Sequence, residues 1–419
     1  MEKAFNSVLL LLLLIVLMLF HLVVASLAMT QTNITTDQSA LLSLKSQIIS
    51  DPFHLLDKSW SSATSVCHWI GVTCGSRHQR VISLNISDMT LTGKIPPDFG
   101  NLTFLVSLDL CSNNFYGNLP REMACLHRLS FNGSIPSLFS NISTLQILSL
   151  TYNSLEGQIP KEIGNLENLR FVSLAGNKLI SSIPPSLSNA SMLVTLYLHN
   201  NFLQGNIPEE FGKLQNLNDL AIQSNRLTGS ISISIFNISG IESIALLHNA
   251  LSEKLLSDMC DGLPMLEELY LSSNKLFGHM PLSLLNCHIP ISVFNISSLK
   301  KLSLRRNNII GSLSREVGNL TKLQILQVNE NMLTGEIPKD VSNLIELVGI
   351  IQCSNRFTGS LSTEIFNISG MREIELFGNN LTGTLPLNIE KAKGKESNDI
   401  VSDHPTLPAV KRSGAKALA

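Results

Sequence analysis

Residues 193–208 read LVTLYLHNNFLQGNIP, which can be written as L-x-x-L-x-L-x-x-N-x-L-x-G-x-I-P. The pattern recurs 24 residues earlier, starting at Leu169, and 24 residues later, starting at Leu217. A fixed period of this length indicates a solenoid, in which each repeat forms one coil and stacks on the next. This stretch therefore predicts the architecture of most of the chain.

The spacing inside one repeat explains why it forms a coil. Leu196 and Leu198 are two residues apart, so both point to the same side of a short strand. One strand cannot bury its apolar face alone, but stacked copies form a parallel sheet with a continuous leucine core. Asn201 falls at the turn, where its amide can bond to free backbone groups. We predict an α/β repeat fold, a right-handed leucine-rich-repeat solenoid with a concave parallel sheet.

The turn position recurs twelve times, and asparagine occupies all but the first of these positions. The twelve are Met89, Asn113, Asn153, Asn177, Asn201, Asn225, Asn249, Asn274, Asn307, Asn331, Asn355 and Asn379. Residues 79–389 are thus predicted to form a solenoid of about 12–14 repeats.

Two breaks interrupt the rhythm, near residues 117–133 and 278–299. Only 16 residues separate Gly117 from Gly133, whereas 33 separate Asn274 from Asn307. Long insertions in repeats often carry binding functions, so both segments could be functional loops. Because each break cuts through the repeat itself, loss of sequence from an ancestral array is the favoured interpretation.

The two ends of the chain differ from the repeats. Residues 1–28 combine a basic start, a leucine-rich run and small residues before position 29, which is typical of a cleaved signal peptide. The alternative is an uncleaved anchor, since the apolar run approaches the roughly 20 residues that span a bilayer. Residues 390–419 are polar and aperiodic, and we predict a disordered tail.

Residues 29–78 are predicted to form an N-terminal cap, because the first coil of a solenoid has no neighbour to cover its core. Asp37 is a candidate N-cap, and Ala40, Leu41, Leu44 and Ile48 follow at helical spacing. Two cysteines seven residues apart in an exported chain, Cys67 and Cys74, predict a disulfide. A zinc site is not supported, because no second cysteine or histidine pair follows at zinc spacing.

Trp60, the C-x-W-x-G-V-x-C element at 67–74 and the I-P-bearing repeats together resemble the ectodomain of a plant leucine-rich-repeat receptor-like kinase. The resemblance covers residues 37–388. The phrases IFNISG at 235 and 365, and DMCDGLPMLEELYLSSN at 258, are similar to the subfamily of microbial-pattern receptors. The resemblance implies a peptide or protein ligand, a co-receptor kinase and a role in immune or developmental signalling. It also implies a transmembrane helix and a kinase, which this sequence lacks, so a truncated receptor is expected.

Composition argues against other function classes. The net charge of −2 gives no electrostatic case for binding nucleic acid or an anionic membrane. The ten histidines are scattered, and neither H-E-x-x-H nor G-x-S-x-G occurs, so we expect no catalytic site, metal or cofactor. His199 and His248 are expected to be surface residues. The chain is predicted to be a non-enzyme.

Ligand contacts are expected at the non-leucine positions of the strands, which face the concave side. About a dozen strands roughly 4.8 Å apart give a surface on the order of 55 Å long. Each such residue could also belong to a solvent-exposed face that binds no ligand. Because of the break at 278–299, the sequence does not fix how the basic residues align with the acidic strand. The candidates are Tyr197, His199, Asn200, Asp219, Gln223, Glu267, Glu268, Tyr270, Lys300, Lys301, Arg305 and Arg306.

Glycosylation sequons support a secreted or cell-surface chain, and several recur at 48-residue spacing before a strand. They occur at Asn33, Asn85, Asn101, Asn132, Asn141, Asn189, Asn237, Asn295, Asn319, Asn367 and Asn380. A second disulfide between Cys260 and Cys287 is a hypothesis that spacing alone leaves open. Cys111 and Cys353, at strand-exposed positions, and Cys125 are expected to be unpaired.

Two alternatives to the receptor hypothesis remain. The repeat consensus is also that of the soluble polygalacturonase-inhibiting proteins, which block microbial cell-wall-degrading enzymes. The second alternative is a truncated receptor fragment without function. An uncapped last coil around Ile374 and Leu376 would leave an open sheet edge, and such edges promote aggregation. Membrane attachment would come only through a missing C-terminal segment or an uncleaved signal.

Overall fold

The computed structural model describes residues 34–125, 144–254, 263–280 and 298–383, and the backbone of a short strand at 400–401. A 14-stranded sheet runs through the whole molecule, and its strands pair in parallel except at the first pair. In chain order they are β2 (Val72–Cys74), β3 (Val81–Asn85), β5 (Ser107–Asp109), β7 (Ile147–Ser149), β9 (Phe171–Ser173), β11 (Thr195–Tyr197), β13 (Asp219–Ala221), β15 (Ser243–Ala245), β16 (Glu268–Tyr270), β18 (Lys301–Ser303), β20 (Ile325–Gln327), β22 (Gly349–Ile351), β24 (Glu373–Glu375) and β25 (Ile400–Val401). The predicted leucine-rich-repeat solenoid is confirmed.

The sheet continues across both breaks in the repeat rhythm. Ser107 of β5 pairs directly with Ile147 of β7, and Glu268 of β16 pairs directly with Lys301 of β18. Each break therefore adds residues between adjacent coils without adding a strand to the sheet at that point. Most of the extra residues, 126–143 and 281–297, lie outside the described residues.

A second set of short strands lies beyond the turns, and the repeat pattern did not predict it. These strands form sheets of five, two and four members. They are β1 (Ile48–Ser50), β4 (Thr92–Gly93), β6 (Asn114–Asn118), β8 (Ser154–Gln158), β10 (Lys178–Ile180), β12 (Gln204–Gly205), β14 (Arg226–Leu227), β17 (Phe277–His279), β19 (Asn308–Ser312), β21 (Met332–Glu336) and β23 (Arg356–Thr358). Gly205 ends β12 with φ of 79°, in the left-handed region that favours glycine.

In most of the described coils a short 3-10 helix follows the strands, and most of these helices begin just after a proline or serine. Neighbouring helices stack on one another along the array. Those of the solenoid span Pro97–Asn101, Arg121–Cys125, Lys161–Asn165, Pro185–Asn189, Glu209–Lys213, Ile233–Asn237, Arg315–Asn319, Lys339–Asn343 and Thr363–Asn367.

The core is one continuous column of aliphatic side chains, in which Leu196 and Leu198 are completely buried. The turn asparagines run beside it as a ladder. Asn201 is 5% exposed, and its Oδ1 accepts from the Leu179 amide at 3.0 Å. Its Nδ2 donates to backbone carbonyls of its own and the preceding coil, at 3.0–3.3 Å. The predicted role of this asparagine is thus visible in the hydrogen bonds.

The cap contains helices α1 (Ile34–Gln47) and α2 (Leu55–Ser59) and the 3-10 turn Val66–His68. Two details of the prediction were wrong. Asp37 lies inside α1, not at its N-cap, because its buried carboxylate pairs with Arg80 of the first coil. Ile48 does not continue the helix, since it begins β1, which pairs with β4.

The rest of the cap agrees with what the sequence predicts. The disulfide between Cys67 and Cys74 is formed. Trp60 and Trp69 stack with ring centroids 5.3 Å apart, and the Trp60 indole donates to the Ile70 carbonyl at 3.0 Å. These buried rings cover the open end of the leucine core. The helical N-terminal cap is confirmed.

The last described coil is covered on its outer edge. Ile400 and Val401, which belong to the tail predicted to be disordered, form β25 and pair in parallel with Ile374 and Glu375 of β24. The edge of β24 that the sequence suggested would be open therefore carries a short strand of this chain.

Gln352 occupies a core position that is leucine or another aliphatic residue in the other coils. Its side chain is completely buried, and neither amide atom has a hydrogen-bond partner among the described residues. An unsatisfied buried polar group costs about 1–3 kcal/mol. We expect Gln352→Leu to raise the free energy of unfolding by about that amount in urea titrations. Gln327→Leu is the matched control, because Gln327 accepts a hydrogen bond from Ser303 at 2.7 Å; an equal gain there would contradict the explanation.

Candidate ligand-binding face

The concave face is formed by the side chains of the main sheet that point away from the leucine core. On β11 these are Thr195 and Tyr197, and His199 follows just beyond the strand. Tyr197 lies in register with Ala221 of β13, which lies in register with Ala245 of β15 and then Tyr270 of β16. The repeat thus places one side chain from each coil in a straight row across the face.

An aromatic cluster lies at one end of this row. The rings of Phe171 and Tyr197 meet edge to face with centroids 5.9 Å apart, and those of Tyr197 and His199 meet at the same distance. Burial raises the pKa of Tyr197, and the neighbouring Asp219 carboxylate raises it further. The Tyr197 ring therefore contacts Phe171 of the preceding coil and His199 of its own coil.

His199 is not the exposed surface residue that the sequence suggested. It is half-buried, and its Nδ1 is enclosed without a hydrogen-bond partner in the described chain. Gln223, on the next coil, likewise has an enclosed and unpartnered Oε1. Backbone pairing from Asn200 to Gln223 places the two side chains next to each other. His248 is exposed as expected, and it lies at a turn with φ of 54°.

Burial lowers the pKa of His199 below the ordinary value of 6.5. The unfolded chain therefore binds the proton first, so the contribution of neutral His199 to stability is fully present above pH 6.5 and is lost as pH falls through the folded pKa. We expect the free-energy advantage of the wild type over His199→Phe to shrink between about pH 7.5 and about pH 5 in urea titrations. A difference independent of pH would contradict this.

A charged cluster lies on β16, β18 and the coil of β20. Lys300 pairs with Glu267 at 2.7 Å, and Lys301 pairs with Glu268 at 2.8 Å. Glu330 accepts from Arg305 at 2.8 Å and from Arg306 at 2.6 Å. The side chains are 32–53% exposed, so each pair contributes only about 0.2–1 kcal/mol to stability. The basic residues thus align with the acidic strand despite the break between them.

Tyr270 belongs to the same cluster. Burial and the neighbouring Glu268 raise its pKa, whereas Lys301 acts in the opposite direction. The hydrogen bond to Glu268 in turn raises the pKa of Lys301. Lys301 is therefore held in its protonated form by its ion pair with Glu268.

Asn200 and Arg306 lie at the rim, not on the strands. Both precede a ladder asparagine and adopt left-handed backbone conformations, with φ of 55° and 53°. The sequence reading missed Phe171 and Glu330, which complete the two clusters. Register alone could have found both. Phe171 pairs with Thr195, two residues before the chosen Tyr197, and Glu330 lies 24 residues after the chosen Arg306.

The seven sequon asparagines within the described residues are all exposed. Asn101, Asn189, Asn237, Asn319 and Asn367 each end a 3-10 helix, away from the concave face. Asn85 ends β3, and Asn380 follows a ladder asparagine. The sequons at 33, 132, 141 and 295 lie outside the described residues.

Cys353 is buried rather than strand-exposed, and burial raises the pKa of its thiol to about 12. Cys111 is unpaired and half-buried. Cys260 and Cys287 lie outside the described residues, as does the side chain of Cys125, so the second disulfide stays a hypothesis.

No cluster of possible metal ligands occurs among the described side chains. No helix in the described ranges is long and apolar enough to cross a bilayer.

Comparison with known families identifies the parts of the chain. A leucine rich repeat N-terminal domain matches residues 34–75. Leucine Rich Repeat matches cover 80–102, 144–166, 168–190, 192–214, 265–287 and 298–320. These matches agree with the cap and with six of the coils described above, and such a fold is a ligand-binding module rather than a catalytic domain.

Several of the similar proteins are plant receptors. The LRR receptor-like serine/threonine-protein kinase EFR of Arabidopsis thaliana is 46% identical over 94 residues, which are 22% of this chain and 9% of that protein. The structure of PEPR1–AtPEP1 is 28% identical with a TM-score of 0.59, covering 87% of this chain and 58% of that one. The Arabidopsis receptor kinase HAESA, solved with the peptide hormone IDA and the co-receptor SERK1, is 27% identical with a TM-score of 0.54, covering 84% and 67%. The chain thus spans a small part of the curated kinase and under two thirds of the first solved receptor. It carries a leucine-rich-repeat N-terminal domain and leucine-rich repeats, and it is homologous to the extracellular domains of plant leucine-rich-repeat receptor kinases.

Proposed function

We propose that this chain is an extracellular ligand-recognition module that binds an extended peptide along its concave face and has no catalytic activity of its own. The observation that carries the proposal is the row across the main sheet, with the aromatic cluster at one end and the charged cluster at the other. Aromatic and arginine side chains are the residue types that most often anchor protein interfaces.

The dimensions suit a short peptide. Four strand spacings separate β11 from β18, which is roughly 19 Å at about 4.8 Å each. An extended peptide covers that length with about six residues at about 3.3 Å per residue. Ala221 and Ala245 are the residues of this row that lie between the clusters.

The charged cluster is pre-ordered and mixed in sign. Glu267, Glu268 and Glu330 face four basic side chains, so the cluster presents both donors and acceptors with little net charge. Such pairing favours a ligand with its own polar groups over a uniformly charged one, because electrostatic complementarity gives specificity more than raw affinity. By analogy with HAESA, which was solved with SERK1, we propose that a co-receptor kinase binds the same complex and that the role is immune or developmental signalling.

Tyr270→Ala tests the binding face. A buried aromatic anchor contributes about 2 kcal/mol or more, so affinity for a bound peptide is expected to fall about 30-fold. The secreted full chain would be panned against a phage-displayed library of random linear peptides, and enriched peptides would be titrated by fluorescence anisotropy.

Tyr116→Ala is the matched control, because Tyr116 lies on β6 of the second set of strands, beneath Lys94. The Tyr116→Ala variant should bind the enriched peptides with the same affinity as the wild type. Enriched peptides that bind Tyr270→Ala unchanged would contradict a concave site. Failure to enrich any peptide, together with inhibition of a microbial polygalacturonase, would support the inhibitor alternative.

A further inference from the structure

One of the exposed sequon asparagines lies on the concave face. Asn85 is the last residue of β3 and is in register with Asp109 of β5, which is in register with Ser149 of β7. The row continues through Ser173 to Tyr197, so Asn85 belongs to the row that carries the tyrosines of the proposed ligand face. The other six sequon asparagines in the described ranges lie at the ends of 3-10 helices or after a ladder asparagine.

The Asn85 side chain is oriented so that its nitrogen can carry a sugar. Its Oδ1 accepts from the Ser87 amide at 3.0 Å and from the Ser87 hydroxyl at 2.8 Å. Its Nδ2 donates to no group in the described part of the chain, and the residue is exposed. Because an N-linked glycan is attached to Nδ2, the protein holds the oxygen of this amide and leaves the nitrogen available. Ser87 is also the hydroxyl residue that completes the sequon.

The side chains around Asn85 suit a sugar better than a peptide anchor. On β3 and β5 the residues that share its face are Ser83, Ser107 and Asp109, which are short and polar, and neither strand contains an aromatic residue. The aromatic part of the face begins at Phe171 on β9. Aromatic side chains are favoured as binding anchors, whereas a glycan is bulky and hydrophilic. The composition of the face therefore changes between Asn85 and the aromatic cluster.

We propose that Asn85 carries an N-linked glycan that covers the concave face at β3 and β5 and so sets the N-terminal limit of the ligand-binding face. The limit rests on the proposed peptide-binding function, whereas the glycan itself does not. Four strand spacings separate β3 from β11, which is roughly 19 Å at about 4.8 Å each. The glycan thus covers the first coils and leaves the aromatic cluster accessible.

The modification is a glycosyl transfer from a lipid-linked oligosaccharide diphosphate during export. The bond between the first sugar carbon and the diphosphate oxygen breaks, and a bond from that carbon to Asn85 Nδ2 forms. Nδ2 loses one proton, which leaves with the lipid diphosphate, and it keeps one N–H. The Oδ1 acceptor is unchanged by the transfer, so the two hydrogen bonds from Ser87 persist in the modified side chain.

The first test is chemical and needs no ligand. Trypsin cleaves after Arg80 and Lys94, so Asn85 is the only sequon asparagine in the peptide 81–94. Mass spectrometry of the full chain secreted from plant cells is expected to show this peptide with an attached glycan. Asn85→Gln and Ser87→Ala should lose the glycan completely. Ser87→Thr is the matched control, because it keeps the sequon and should keep the glycan.

The second test measures what the glycan covers. Asp109 lies beside Asn85 in the row, whereas Asp98 lies in a 3-10 helix outside the concave face. Both carboxylates fall in the tryptic peptide 95–121, so carbodiimide labelling of the folded chain reports their accessibility together. We expect the labelling of Asp109 relative to Asp98 to rise severalfold in Asn85→Gln. The ratio should stay at the wild-type level in Ser87→Thr.

The limit of the ligand face is tested by moving the glycan along the row. Ser149→Asn creates a sequon, because Thr151 follows at the required spacing, and it lies two strands from Tyr197. Peptides enriched on the wild-type chain should lose binding to the glycosylated variant and regain it after an endoglycosidase trims the glycan. Ser149→Gln, which creates no sequon, should bind them as the wild type does. Asn85→Gln should do the same, because its glycan lies outside the limit.

The outcomes separate the inference from the proposed function. An unmodified peptide 81–94 from the folded, secreted chain would overturn the inference and leave peptide binding untouched. A glycan at Asn85 whose removal does not change the labelling of Asp109 would also overturn it, because such a glycan does not cover the face. If the glycan of Ser149→Asn leaves peptide binding unchanged, peptides do not bind along this row. The limit and the proposed function then fail together, and unfolding midpoints of each variant show that the fold is retained.

Discussion

Asp37→Ala is expected to lower the free energy of unfolding by about 3–5 kcal/mol, the cost of breaking a buried ion pair by removing one partner. Asp37 is completely buried in α1, and Arg80, at the entrance to the first coil, is 4% exposed. The Arg80 guanidinium donates to the carboxylate twice, at 2.8 Å and 2.6 Å. The Val81 amide donates to it as well, at 2.9 Å.

Removal of the carboxylate would leave a buried guanidinium and a backbone amide without their acceptor. Because this pair joins the cap to the solenoid, we expect the loss to appear first in the cap. Hydrogen exchange would show faster exchange in α1 and β3 than in the distant coils. Urea titrations followed by circular dichroism would give the total free-energy change.

Asp98→Ala is the matched control. Asp98 joins the same helix to the same coil by accepting from the Ser43 hydroxyl at 2.7 Å, but this bond is exposed. A net loss of about 1 kcal/mol or less is expected there. The double variant Asp37→Leu/Arg80→Leu should recover much of the stability, because no unpaired charge remains. Equal losses in Asp37→Ala and Asp98→Ala would show that the buried pair does not hold the cap in place.

Asn201→Ala is the second change with a large expected effect, about 3–5 kcal/mol. The side chain satisfies one backbone amide and three backbone carbonyls between Leu174 and His199. Each buried group left unsatisfied costs about 1–3 kcal/mol, and partial relaxation of the turn reduces the sum. No other side chain of the coil can take over these bonds, because the neighbouring asparagines serve their own turns.

Because Asn201 lies in the middle of the array, Asn201→Ala should also reduce the cooperativity of unfolding. The stability of a solenoid is approximately a sum of coil and nearest-neighbour terms, so a weak central coil separates the array into two units. We expect the urea transition to broaden or split, and hydrogen exchange to accelerate on both sides of β11.

Asn216→Ala is the control for this prediction. Asn216 is exposed, and its Nδ2 donates a hydrogen bond of the same kind to the Ser191 carbonyl at 2.8 Å. Its loss should cost about 1 kcal/mol or less and should leave a single transition. A small effect of Asn201→Ala on both stability and cooperativity would mean that the ladder is not what holds adjacent turns together.

Much of the fold could be predicted because its determinants are local. Leu196, Leu198 and Asn201 specify a strand, its buried face and its turn within six residues. The 24-residue period indicates which strands are neighbours in the sheet. The cap and its disulfide followed from residues close in sequence. The second set of short strands was missed because residues after the turn carry only a weak pattern, in which Gly205 is the clearest feature.

The candidate site was predicted less completely. Its positions followed from the repeat, and Tyr197, Asp219 and Tyr270 do lie on the concave face. Their contacts did not follow, because each contact joins side chains from different coils. To predict that Lys301 pairs with Glu268, one has to know the register of their two strands. The 33-residue interval between the repeats breaks the 24-residue period, so the sequence does not give that register.

The sequence by itself therefore determined the solenoid, the order in which its coils stack and its cap, since these depend on the spacing of residues along the chain. Only the tertiary structure decided that Asp37 is buried against Arg80. It also decided that the Gln352 amide, His199 Nδ1 and Gln223 Oε1 have no hydrogen-bond partner in the part of the chain that the structure describes. Burial and hydrogen-bond satisfaction depend on which atoms from distant segments surround a group. That information exists only once the coils are stacked.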